Sequence, residues 1–141
     1  ILMPRTPTGS SLQIQALFVA LGGALGAFTR YGLTEILVLP SFPIATIAVN
    51  LSGSFALGIL TGAFSTQRQP AWLKGGVITG FLGSYTTTSA FASDFILLSV
   101  ADQSLRISLL YGFTAIFGGL SLAALGFIAG KRIGRIREAL S

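Results

Sequence analysis

The residue types able to bind an ion are concentrated in one stretch, Gly80 to Asp94, GFLGSYTTTSAFASD. It lies within a hydrophobic segment that begins near Leu73 and ends near Val100. A helix built only to cross lipid would be filled with Leu, Ile and Val. Here Gly80 and Gly83 are followed by Ser84, Thr86, Thr87, Thr88, Ser89 and Ala90, interrupted only by Tyr85. Nothing in a bilayer core hydrogen-bonds a freed amide or carbonyl, so unwound backbone persists there only inside protein or against water. Broken helices at that depth are where channels and transporters hold ions. The alternative is a packed helix whose hydroxyls bond back to their own carbonyls. The density of small and hydroxyl residues from Gly80 to Ala90 favours the break. A second group is Asn50, with Thr46 before it and Ser54 after it at four-residue steps, so the three share one helix face. Its amide lies at mid-membrane depth, where it can bond between packed helices.

Catalytic chemistry finds little here. The chain has no cysteine and no histidine, which removes disulfides, thiolate chemistry and imidazole metal sites. No pair of buried acids is available for acid–base work. Coupled transport uses a membrane-buried carboxylate to carry protons. Asp94 is the one candidate, and its place near the end of the third hydrophobic span reads as interfacial.

The elements that must position these residues follow from composition. Hydrophobic residues make up 52% of the chain and charged residues 9%, with a mean hydropathy of +0.80. A soluble domain carries about 25% charged residues, so this is an all-α integral membrane protein. Its 141 residues form one domain, with room for four spans of about 20 residues. They are expected at about 12–30, 44–64, 73–100 and 107–130, the third being broken. Arg30 and Tyr31 are expected to end the first span at the interface. Pro40 and Pro43 stop the connection Thr34 to Pro43, and Arg68 and Pro70 lie in the polar loop Ser65 to Ala71. Trp72 and Lys74 anchor the third span, Ala101 to Arg106 is a short loop, and the tail from Lys131 to Ser141 is basic and helical. The first ten residues are polar and turn-rich, so no cleavable signal is expected. Gly22 and Gly26, like Gly58 and Gly62, have the GxxxG spacing that lets another helix backbone approach closely. Eighteen glycines in a chain this small imply tight packing. Four such helices cannot enclose a solute path and still satisfy one another, so an oligomer is expected, with the interrupted third span at its interface.

Three ordered motifs resemble the small fluoride channels, the Fluc family, also called CrcB or camphor-resistance proteins. GGALGAFTRY, Gly22 to Tyr31, resembles the family's GGxxGAxxRY; TIAVNLSGSFALG, Thr46 to Gly58, resembles TxxVNxxGsFxxG; and GFLGSYTTTSAFAS, Gly80 to Ser93, resembles GfxGGfTTFSTFS. The resemblance implies a fluoride-selective channel that exports fluoride passively and protects the cell from it. It implies a dimer of oppositely oriented subunits with narrow anion pathways along the interface. It also implies a structural sodium ion on the dimer axis, held by the backbone carbonyls of Gly83 and Thr86. Asn50 matches the family's pore asparagine and Phe91 its second pore phenylalanine, whose ring edge carries positive charge. Tyr111 resembles a tyrosine at the pore end of the fourth helix. Thr87, Thr88 and Ser89 are further pore candidates, and Arg30 has a structural role or a place in an anion-attracting vestibule. Read without the resemblance, Asn50 is a bond between packed helices, Phe91 a packing residue, Tyr111 an interfacial one, and Gly83 and Thr86 a simple kink.

The chain also departs from the pattern. Thr88 stands where the family has its first pore phenylalanine, and Ala90 replaces a threonine. Along the fourth helix, Ala115, Gly119 and Ala123 stand where the family threads hydroxyls. Thr114 and Ser121 lie about 100° around the helix from that track. The pathway lined by this fourth helix is therefore expected to be poor or closed. Three function classes result: a passive fluoride channel, a structural subunit that completes a partner's pore, and an ion-coupled anion transporter.

The net charge of +5 flanks hydrophobic spans, which points to membrane orientation and not to nucleic acid. With both termini in the cytoplasm, the inner side of the cell membrane carries Arg5, Arg68, Lys74, Lys131, Arg132, Arg135 and Arg137, and the outer side Arg30 and Arg106. Such asymmetry directs insertion one way. It favours as partner a second, homologous Fluc-type chain of reverse bias over an inverted copy of this one. A basic tail that binds anionic membrane lipid is the simpler alternative.

Overall fold

A computed structural model describes residues 9–66, 69–100 and 105–139. Among these the protein is all helical, with no strand. Helix α1 is Gly9–Ile36 and α2 is Ile44–Thr66. Helix α3 covers residues 71–85, and α4 is Thr88–Val100. Helix α5 covers Leu105–Ala139. α1, α2 and α5 are long and apolar enough to cross a membrane. α3 and α4 are the halves of the broken third span, and together they make the fourth crossing of a multi-pass membrane protein. Gly75–Leu82 within α3 and Thr114–Gly118 within α5 are wound as π-helix, a form that collects at functional sites.

α1 packs on α3, and α2 packs on α5. Both pairs run parallel and both are set by glycine. A Cβ at Gly22 would run into the carbonyl of Gly76, and one at Gly26 into that of Phe81. In the second pair the fit is reciprocal. Gly58 and Gly62 lie against the carbonyls of Ala123 and Phe127, while Gly126 and Gly130 lie against those of Phe55 and Ile59. Lipid is as apolar as Leu, so close backbone approach takes over the work that hydrophobic burial does in water. Burial follows the same logic. The buried hydrophobic side chains are Val49, Leu82, Tyr85, Leu98 and Tyr111, while Phe28, Ile36 and Leu120 face outward.

Arg30 and Tyr31 do not end α1. The helix runs on to Ile36, and Leu37 N–H still reaches the Leu33 carbonyl at 2.9 Å. It stops before Leu39, the residue that Pro40 bars from helical geometry. The basic tail is helical to Ala139, as expected. Arg5, Arg68 and residues 101–104 of the expected second loop lie outside the described residues; Leu105 and Arg106 already belong to α5.

Candidate ion-binding site at the helix break

The break is built residue by residue. α3 ends at Tyr85, and Thr86 turns extended with φ −79° and ψ 157°. Its N–H and its hydroxyl both donate to the Leu82 carbonyl, at 3.1 and 3.0 Å. In a continuous helix the Thr87 N–H would close on the Gly83 carbonyl. It donates instead to Asn50 Oδ1 at 2.8 Å, and Asn50 Nδ2 donates to the Thr87 carbonyl at 2.9 Å. The side-chain amide thus substitutes for a peptide group on both sides of Thr87. Leaving either backbone group unpaired in an apolar setting would cost about 1–3 kcal/mol.

α4 then restarts on a cap. The Thr87 hydroxyl accepts from Ala90 N–H at 3.2 Å and lies 3.3 Å from the Ser89 hydroxyl, the arrangement that satisfies a free donor in a first helical turn. On the other side of the break, Arg30 Nε donates to the Ser84 carbonyl at 3.1 Å. A cation there meets the negative end of α3. Tyr85 is buried, with its hydroxyl 2.8 Å from that of Ser52 and its ring stacked on Phe81. Gly53 makes the approach of α2 possible, because a Cβ there would collide with the Thr86 methyl.

Beside the break runs an open groove of about 450 Å³. Asn50, Gly83, Thr86, Thr88 and Phe91 of the expected site residues line it, and Ala115 faces them from α5. Thr87 and Ser89 sit at the α4 cap. Arg30 is not among the lining residues, and its side chain has the structural task of capping α3. Tyr111 is 1% exposed, with its ring stacked on Phe91 at 5.4 Å and T-shaped to Phe42 at 5.9 Å. Its hydroxyl donates to Asp94 Oδ2 at 3.1 Å. Asp94 is thus half-buried and engaged. Gly119 is buried, Ala123 packs on Gly58, and Thr114 and Ser121 face outward. The α5 wall of the groove is accordingly apolar.

Sequence reasoning did not assign the Asp94–Tyr111 bond, the Ser52–Tyr85 bond or Thr87 as the partner of Asn50. The partners lie 17, 33 and 37 residues apart. Only the four-residue spacing on α2 hinted at which residues share a face. Among the described residues there is no His, Cys, Asp and Glu cluster of metal-binding size. What the break does offer a cation is neutral oxygen. The amide that would have bonded the Gly83 carbonyl is diverted to Asn50, and Thr86 is extended. Such a donor set fits a hard monovalent cation.

The sequence profile of the family described as "CrcB-like protein, Camphor Resistance (CrcB)" matches residues 17–127. The protein "Fluoride-specific ion channel FluC 2" of Bacillus subtilis (strain 168) is 39% identical over 120 residues, covering 85% of this chain and 90% of its own. "Fluoride-specific ion channel FluC" of Paracoccus denitrificans (strain Pd 1222) is 38% identical over 121 residues, covering 84% and 93%. "Fluoride-specific ion channel FluC 1" of Staphylococcus aureus (strain N315) is 36% identical over 121 residues, covering 84% and 80%. These names are those of ion channels and not of enzymes. With the profile spanning most of the chain and these relatives matched over most of their own length, the chain belongs to the CrcB-like, camphor-resistance family.

Proposed function

We propose that this chain is a subunit of a fluoride-selective channel that lets fluoride leave the cell passively, down its gradient. It is not an enzyme. The observation that carries the reading is the groove beside the break, lined by amide, hydroxyl and aromatic ring with no ionised side chain among its lining residues. Fluoride is small and strongly hydrated, so a path must replace its water with donors. Asn50 Nδ2 carries two hydrogens; one goes to Thr87, and the second remains for an anion. The Thr88 hydroxyl and the edge of Phe91 extend the set. A groove open on one side needs a cover, and a second subunit in the opposite orientation supplies it.

The Gly83 and Thr86 carbonyls would hold a structural sodium ion where two such breaks meet. When bound, the ion supplies a fixed positive charge that steadies the carbonyl ends and a nearby anion. The apolar α5 wall favours a second reading, in which this chain mainly completes the pore of a homologous partner. Coupled transport has less support, because Asp94 is held by Tyr111. Fluoride efflux from liposomes containing the purified chain, with chloride as control, tests the reading. Fluoride-selective efflux is expected from the chain alone or beside its partner. Equal chloride flux, or none of either from both assemblies, would overturn it.

A further inference from the structure

The two walls of the groove differ in chemistry. α5 contributes Ala115 and Ile116, while α2 contributes Asn50 and, one helical turn on, Ser54. The other described α2 hydroxyls are engaged: Ser52 turns back to the Ala48 carbonyl at 2.6 Å, Thr61 to Leu57 at 2.7 Å and Ser65 to Gly62 at 2.7 Å, while Thr46 bonds the Tyr111 hydroxyl. Bonding back is the usual resort of a helix hydroxyl in an apolar setting. Ser54 departs from this pattern. Among the described residues its hydroxyl has no hydrogen-bond partner, and it is half-buried on the groove.

The position opposite explains how it fits. A Cβ built on Gly119 of α5 would lie 3.4 Å from Ser54 Oγ. The glycine therefore leaves the space into which the α2 hydroxyl points. A hydroxyl supplied by α5 at residue 119 would enter the same volume from the other wall.

We propose that Ser54 is an anion-binding, specificity-determining residue of the path, the next donor after Asn50. Resting on the fluoride-channel reading, the inference assigns the site a small, dehydrated halide as ligand. Four residues along a helix advance about 6 Å, so the ion passes from the Asn50 amide to the Ser54 hydroxyl without travelling far unsolvated. An O–H donor to an anion forms a short, charge-assisted bond. Such a bond favours fluoride over larger halides.

Fluoride and chloride efflux are measured for the wild type, S54A and S54A/G119S, each reconstituted in the assembly in which the wild type conducts. Thermal unfolding of the same preparations is followed alongside. S54A is expected to lower fluoride efflux about tenfold or more, the loss expected for one hydrogen bond to a charged group, with its unfolding midpoint unchanged. S54A/G119S, which returns a hydroxyl from the opposite wall, is expected to regain a substantial part of the loss. A purely structural serine would not be rescued from another helix. Wild-type flux in S54A overturns the assignment, and so does a double variant that assembles yet stays as slow as S54A. S54A alone decides where the double variant does not assemble. A wild type that conducts no fluoride in any assembly removes the channel reading first, and the Ser54 assignment with it.

Discussion

In the proposed channel Asn50 has two tasks that one side chain can perform together. Its oxygen and one N–H hold Thr87, and, since the residue lines the groove, its other N–H would serve the ion. Asn50→Ala therefore loses more than an anion donor. It leaves the Thr87 N–H and carbonyl unpaired, costing about 1–3 kcal/mol for each group. Fluoride flux is expected to fall to near background and the unfolding midpoint to drop with it. Asn50→Asp keeps the acceptor for Thr87 N–H but sets a carboxylate against the Thr87 carbonyl. It is expected to lose flux as well. Efflux and thermal unfolding measured on the same preparations check both, and full flux in a folded Asn50→Ala protein would remove Asn50 from the path. The sequence marked Asn50 as out of place among apolar residues. It did not show Thr87 as its partner, because no local spacing connects two groups 37 residues apart.

At the scale of the helix, glycine spacing foretold close packing but not which helices would pair. Gly22 and Gly26 meet α3, and Gly58 and Gly62 meet α5, each against backbone carbonyls that cannot move aside. Arg30 had a partner that spacing could not show, for a related reason. An Arg–Tyr pair near the end of a hydrophobic run has the appearance of an interface anchor, yet Arg30 reaches a carbonyl on another helix. The break itself was legible, since Gly, Ser and Thr are dense there and lipid cannot solvate loose backbone. Two glycines test the distinction. Gly62→Ala sets a methyl group into the Phe127 carbonyl and is expected to lower stability by about 1–3 kcal/mol, as overpacking does. Gly32→Ala has open space around it and lies within α1, so it is expected to be neutral or to stabilise by about 0.5–1 kcal/mol. Thermal unfolding in detergent separates them, and equal effects would show that the close α2–α5 approach does not govern stability.

For the whole molecule, the question is what covers the groove and which way the chain inserts. The parallel pairing of α1 with α3 and α2 with α5 sets Lys74 at the start of α3 on the same end as Lys131, Arg132, Arg135 and Arg137 at the close of α5. Arg30 and Arg106 lie toward the other end. On the positive-inside rule we propose that basic residues this uneven, close to helix ends, direct insertion with their end in the cytoplasm. A protein that inserts equally both ways needs nearly balanced charge. An oppositely oriented partner is then more readily a homologous chain of reverse bias than a second copy of this one. The apolar α5 wall agrees, because a partner's own fourth helix would supply donors that Ala115 does not. A single cysteine placed at Ser121→Cys does not report orientation, since that position lies within the span; Glu138→Cys, at the exposed end of α5, does. In intact cells expressing this chain alone, a membrane-impermeant thiol reagent is expected to leave Glu138→Cys unlabelled until the cells are opened. Labelling from both sides, together with fluoride efflux from liposomes holding this chain alone, would establish a self-paired dimer and defeat the two-chain channel.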